Sequence, residues 1–199
     1  MACILHCVRE SKGDSHMSRI TPVNPAEATG KAKELLNAVQ AKLGITPNLM
    51  KTLATAPAAL EGYLSFSGAL SGGVLNAKFR EEIALAVAQA NSCEYCLSAH
   101  SAIGKMVGLK PEEIAASRAS RSADAKQDAG LKFAQSIVVQ KGEVSNGAVD
   151  AVRAAGYGDA EITEIVANVA LNIFTNYFNH VAQTEVDFPR VPATLAQSA

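Results

Sequence analysis

Residues 91–100, NSCEYCLSAH, bring two thiols and an imidazole into ten residues of a chain that is otherwise rich in Ala and Leu. Cys93 and Cys96 stand at i and i+3, and His100 follows four residues after Cys96 and seven after Cys93. On a helix all three share one face. Two sulfurs on adjacent turns reach disulfide range with modest adjustment. An imidazole one turn away can take a thiol proton. The same residues could also be three ligands of a zinc site. Closing that site requires a fourth ligand, from His180 or from the thiols Cys3 and Cys7 near the start of the chain. Inert buried thiols are a third reading, because Cys packs well in helical cores. Haem attachment of the c type is excluded, since Leu97 rather than His follows Cys96.

Two neighbours bear on that chemistry. Asn91 with Glu94 three residues on resembles a capping box, which puts Cys93 in the first helical turn. There the helix dipole and unpaired N–H groups are expected to give Cys93 the lower pKa of the pair. Glu81 lies twelve residues before Cys93. On one straight helix that is about 18 Å, too far to act. A turn at Asn91-Ser92 changes this. Glu81 then stands ten residues before the turn and His100 nine after it, at one level of an antiparallel hairpin. A carboxylate there would orient His100 and raise its basicity. Glu82, the next residue, is the rival for that place.

The elements that must position these groups are helical throughout. Asn24-Pro25 opens a helix that Gly44 closes, Asn76 caps the segment carrying Glu81, and Gly108 ends the segment carrying His100. Pro111, Gly142 and either Gly156 or Gly158 punctuate three more. No stretch reads as a strand, so the expected class is all-α, which excludes a thioredoxin fold. A faint repeat at an offset of 80 sets Glu81 over Glu161 and His100 over His180, suggesting a duplicated helical hairpin. The final helical stretch, 159–183, is apolar around much of its circumference, from Ile162 to Val181. The segment 57–70 adds Leu60, Tyr63, Leu64, Phe66 and Leu70 on more than one face. Together these surfaces predict a homo-oligomer.

Composition narrows the partners. The chain has 199 residues, 48% hydrophobic and 19% charged, with net charge −1 and pI near 6.4. Residues 17–199 read as one domain. Residues 1–16 read as a flexible tail, or as the product of a start upstream of Met17. The scattered basic residues form no nucleic-acid surface, and no apolar run has the length of a membrane span. The opening residues make a poor signal peptide, so a cytoplasmic location is expected, where a disulfide is catalytic rather than structural.

The stretch FREEIALAVAQANSCEYCLSAHSAIGKMVGL, residues 79–109, resembles the AhpD-like, peroxidase-related branch of the carboxymuconolactone decarboxylase superfamily. The shared pattern is Glu, eleven residues, CxxC, three residues, His, which Glu81, Cys93, Cys96 and His100 match. A looser likeness extends from SRITPV at residue 18 to NIFTNYFNHVAQTEVDFP near the end. The resemblance implies an all-α fold of duplicated hairpins assembled as trimers or hexamers. It implies a thiol peroxidase that reduces hydroperoxides without metal or cofactor. Cys96 would be the peroxidatic thiol and Cys93 the resolving one, with Glu81 and His100 relaying protons. The capping argument favours the opposite sulfur. Many AhpD enzymes carry a His inside the CxxC where this chain has Tyr95, which leaves the reductant open between a thiol and a lipoyl-type group. Superfamily decarboxylases lack the CxxC. A decarboxylase-like enzyme without redox turnover and a redox-sensing helical module remain the alternatives.

Overall fold

The computed structural model describes residues 18–194, so Cys3, Cys7 and the rest of the 1–16 segment lie outside the described residues. Within them the chain forms nine helices and no strand: α1 (Gly30–Leu43), α2 (Asn48–Leu53), α3 (Pro57–Ser71), α4 (Ala77–Ala90), α5 (Glu94–Met106), α6 (Pro111–Arg118), α7 (Ala125–Val139), α8 (Asn146–Ala154) and α9 (Asp159–Ala182). The all-α expectation holds. The first helix begins later than Asn24-Pro25 suggests. Asn24 instead closes a turn by accepting the Ala26 N–H at 3.1 Å, and Thr29 is the N-cap of α1.

Helix α4 is the centre of the molecule and packs against α5, α6, α7 and α9. Its residues from Glu82 to Ala88 are all buried. Leu85 and Ala88 join one core, built with Leu36, Leu53, Leu60 and Leu97. Phe79, Ile83 and Val87 join a second, built with Leu131, Val152 and Ile165. A helix with two cores on opposite sides cannot rotate or slide without opening one of them. Where α7 crosses, a Cβ at Gly130 would run into the rings of Phe79 and Tyr157, so only glycine allows that approach.

The hairpin between α4 and α5 is made by backbone geometry. Asn76 starts α4 by accepting the Phe79 N–H at 2.9 Å. At the other end Ser92 takes the left-handed conformation, φ 54°. The Ser92 N–H bonds Gln89 O at 3.0 Å and the Cys93 N–H bonds Ala88 O at 2.9 Å. These two bonds are the Schellman closure of a helix, here with Ser in the place usually held by Gly. Cys93 is thus the last residue of that closure and also the N-cap of α5. The expected Asn91–Glu94 capping box does not form: Asn91 is the C-cap of α4, and its amide donates to Asn176 Oδ1 at 2.9 Å.

The repeat at an offset of 80 is not a second hairpin. The positions matching the Asn91-Ser92 turn are Leu171 and Asn172, and α9 runs through them without a break. Neither residue takes a left-handed φ, so nothing stops the helix there. Beyond α9 the chain returns as a strap across α5. Tyr95 Oη donates to Asp187 at 2.9 Å, and Val191 N–H donates to Ser98 Oγ at 2.9 Å. Gln89 and Arg118 side chains bond the carbonyls of Ala193 and Pro192.

Helix α9 is buried on one side only. Ile165 and Val169 are enclosed, while Val166, Phe174, Tyr177 and Val181 lie exposed, the last two at 57% and 64%. Their spacing places them in one stripe along the helix. We expect this stripe to be covered by another copy of the chain. Light scattering should then give a multiple of 20.7 kDa, with Tyr177→Glu/Val181→Glu shifting it to the single-chain mass. A wild-type mass of one chain would refute it.

Candidate active site

The hairpin places Glu81 and His100 opposite one another. The His100 Nδ1–H donates to Glu81 Oε2 at 2.7 Å, with the two side chains 19% and 18% exposed. Burial alone would lower the imidazole pKa, but the Glu81 charge and hydrogen bond outweigh it and raise it above the ordinary histidine value. Nε2 is left as the nitrogen that can exchange a proton at the cavity. Glu82, the rival carboxylate, points elsewhere. It is buried against the other face of α4, Oε2 has no hydrogen-bond partner among the described residues, and burial followed by the Glu113 charge pushes its pKa up to about 7.

Both thiols are free and buried. As N-cap, Cys93 accepts the Cys96 N–H on its sulfur at 3.4 Å. Its side-chain hydrogen bond to Cys96 and its burial hold its proton on, well above the ordinary thiol range. Cys96 behaves oppositely. Burial pushes its pKa up, but the Cys93 hydrogen bond, the His100 charge and the amides of Asn179 and Asn176 together bring it down to about 7. The Asn179 Nδ2–H donates directly to Cys96 Sγ at 3.2 Å. This reverses the expectation that the helix terminus favours Cys93. The helix N–H that reaches the Cys93 sulfur is a long contact that burial outweighs, whereas the neighbouring charge and the α9 amides converge on Cys96.

Cys96, His100 and Glu81 share the wall of a cavity of about 450 Å³. Its other walls are largely apolar, including Val39, Met50, Leu64, Ile103 and Leu171. Tyr63 stands in it with its phenol pushed up to about 12 by burial, then by the Glu81 and Cys96 charges, so it stays a neutral donor. Tyr95, the residue inside the CxxC, accepts the Leu49 N–H at 3.0 Å and packs edge-on against Phe188. It ties α5 to α2 and to the C-terminal strap.

The sequence reasoning missed the asparagines of α9. Asn168, Asn172, Asn176 and Asn179 are all buried on the side facing α4 and α5. Their spacing of four, four and three is a polar line on an apolar helix, and that line was the available signal. Among the described residues no three His, Cys, Asp or Glu side chains stand together as a metal site. His180, the proposed extra zinc ligand, bonds Asn91 O through Nε2 at 2.9 Å. No helix of the described residues is long and apolar enough to cross a membrane.

Residues 57–138 match the model of the Carboxymuconolactone decarboxylase family. The match spans α3 to α7 and so contains all four site residues. Among solved structures the fold is similar to a peroxidase-related protein with an alkylhydroperoxidase AhpD core from Ralstonia eutropha JMP134, at 27% identity and TM-score 0.76, covering 86% of this chain and 93% of that one. It is similar to a peroxidase-related protein from Silicibacter sp. TM1040, at 23% identity and TM-score 0.75, covering 87% and 95%. It is also similar to the debrominase Bmp8 in complex with 2,3,4-tribromopyrrole, at 18% identity and TM-score 0.74, covering 87% and 94%. No curated protein matches the sequence significantly.

The asymmetry between the thiols is measurable. Alkylation of the reduced protein by iodoacetamide should follow a single titration near pH 7, located at Cys96 by mass mapping. Glu81→Gln removes the charge that raises the His100 pKa, so the Cys96 midpoint should move upward. A midpoint that stays put, or a low-pH alkylation mapped to Cys93, would contradict the electrostatic account.

Proposed function

We propose that the protein is a thiol peroxidase that reduces organic hydroperoxides with the Cys93–Cys96 dithiol. The observation that carries this reading is the placement of one thiol, Cys96, where a lowered pKa, the His100–Glu81 pair and an apolar cavity meet, with a second thiol hydrogen-bonded to it. The Cys96 thiolate attacks the terminal peroxide oxygen. The O–O bond breaks, and the leaving alkoxide takes a proton from the His100 imidazolium, which Glu81 holds in place. Cys96 is left as a sulfenic acid. The buried Asn179 Oδ1, which has no partner among the described residues, can accept a hydrogen bond from the new hydroxyl. Cys93 then attacks the Cys96 sulfur, water leaves, and the disulfide closes. An outside reductant reopens it.

The cavity also suits a second reading. Its apolar walls would hold a halogenated aromatic ring, as the likeness to a debrominase suggests. Two thiols supply two electrons, converting C–Br to C–H with release of HBr and closure of the same disulfide. Bromide release from a bromopyrrole, compared with turnover of cumene hydroperoxide, ranks the two.

One equivalent of cumene hydroperoxide should remove two thiols and two hydrogens from the chain, with the new disulfide joining Cys93 to Cys96. Glu81→Gln should slow this step by ~10²-fold, the usual scale for lost acid–base support, while melting within a few degrees of wild type. Unchanged thiol content after peroxide would refute the peroxidase reading. A harmless Glu81→Gln beside an inactive Glu82→Gln would show that the wrong carboxylate had been assigned.

A further inference from the structure

The two cysteines of the dithiol line different cavities. Cys96 belongs to the apolar one described above. Cys93 lines a second, of about 320 Å³, together with Glu94, His180, Gln183, Glu185 and Arg190. Tyr95 is the one residue that lines both. Its phenol is fixed from two sides, by Leu49 N–H and by Asp187, so the partition between the cavities is braced rather than free to swing.

The second cavity has the character of a site for a charged small molecule. Arg190 is held loosely by Glu94, at 3.3 Å, and keeps guanidinium N–H groups to spare. The Glu185 carboxylate forms no ion pair among the described residues; the bonds recorded for this residue use its backbone N–H and C=O. His180 is fixed by its Nε2–H bond to Asn91 O. A cation and a carboxylate without an ion-pair partner among the described residues thus line one pocket with Cys93.

We propose that this second cavity is where the reductant enters, and that it selects a small zwitterionic thiol of the peptide type, its carboxylate on Arg190 and its ammonium on Glu185. The inference rests on the redox reading of the dithiol, but not on the oxidant being a peroxide. In the oxidised protein the external thiolate attacks Cys93 Sγ. The Cys93–Cys96 bond breaks with its electron pair going to Cys96, and a mixed disulfide joins the reductant to Cys93. A second thiolate attacks the reductant's sulfur in that disulfide, and Cys93 leaves as a thiolate and takes up a proton. Two external thiols become one external disulfide, and the protein dithiol is restored. Oxidant and reductant never compete for one entrance, because each meets its own sulfur.

The test begins with protein oxidised by diamide, so no hydroperoxide is needed. The rates at which glutathione and uncharged 2-mercaptoethanol restore the thiols are measured for wild type, Arg190→Glu and Glu185→Lys. Taking the ratio of the two rates cancels the intrinsic reactivity of each thiol. The ratio should fall about fivefold or more in each variant, the scale of a lost, partly exposed charge contact, and the wild-type advantage should shrink in high salt. An unchanged ratio in both variants would overturn the site. Separate entrances predict that 2-phenyl-2-propanol, the alcohol left by cumene hydroperoxide, inhibits the peroxide step without competing with glutathione. Competition with glutathione would overturn the two-entrance arrangement. Charge-dependent reduction by glutathione in a protein that hydroperoxide does not oxidise would leave this site standing and remove the peroxidase reading alone.

Discussion

The hydrogen bond from His100 to Glu81 exists only because α4 and α5 are held at one register, and the chemistry of Cys96 depends on it. Two things fix that register. One is the closure at Ser92, where two backbone bonds end α4 and the same residue that completes them, Cys93, begins α5. A slip of one residue would turn Glu81 about 100° around its helix and bring Arg80 or Glu82 to its level. The first is a cation and the second faces away from the imidazole, so neither could replace it. The other is the double burial of α4, whose two cores oppose any sliding. A left-handed serine costs about 1 kcal/mol relative to glycine, which the surrounding bonds offset.

From that register follows the inequality of the two thiols. Cys93 caps the helix and shares its sulfur with the Cys96 N–H; Cys96 sits one turn further in, beside the His100 imidazole and the α9 amides. A helix terminus favours anions in general, but here the specific donors lie on the second cysteine. The same inequality sets the order of chemistry. On the proposed redox reading, the thiol that ionises first would react first, the protonated one would resolve, and in reduction the lower-pKa Cys96 would be the better leaving group. The C-terminal strap and Tyr95 divide the surroundings of the two cysteines into one largely apolar cavity and one with more charged side chains in its lining.

Much of this is legible in the residue pattern, and the exceptions have definite causes. The all-α class, the Asn76 cap and the Glu81-to-His100 level can be read from periodicity and spacing, because each depends on local backbone geometry. The capping residue of α5 cannot. Asn91 is a good N-cap by type, but the Schellman closure of the preceding helix uses Asn91 and Ser92, which moves the cap to Cys93. The polarity of the dithiol does not follow from helix position alone, since Asn176 and Asn179 lie about eighty residues away in sequence and reach Cys96 only through tertiary packing. The offset repeat fails because two matching residue types on Ala-rich helices say nothing about whether the chain turns between them. The strap beyond α9 reads as a plain Pro-containing tail; its polar contacts to α2, α4, α5 and α6 are side-chain meetings that no local pattern announces.

The central claim is that Cys96, and not Cys93, meets the oxidant. Trapping with dimedone and mass mapping tests it on two single variants treated with one equivalent of cumene hydroperoxide. In Cys93→Ser the resolving thiol is gone, so a dimedone adduct should accumulate on Cys96. In Cys96→Ser the remaining Cys93, whose burial holds its proton on and which lines the other cavity, should stay unmodified over the same interval. A sulfenic acid trapped on Cys93 in the Cys96→Ser protein, with Cys96 silent in its counterpart, would contradict the account.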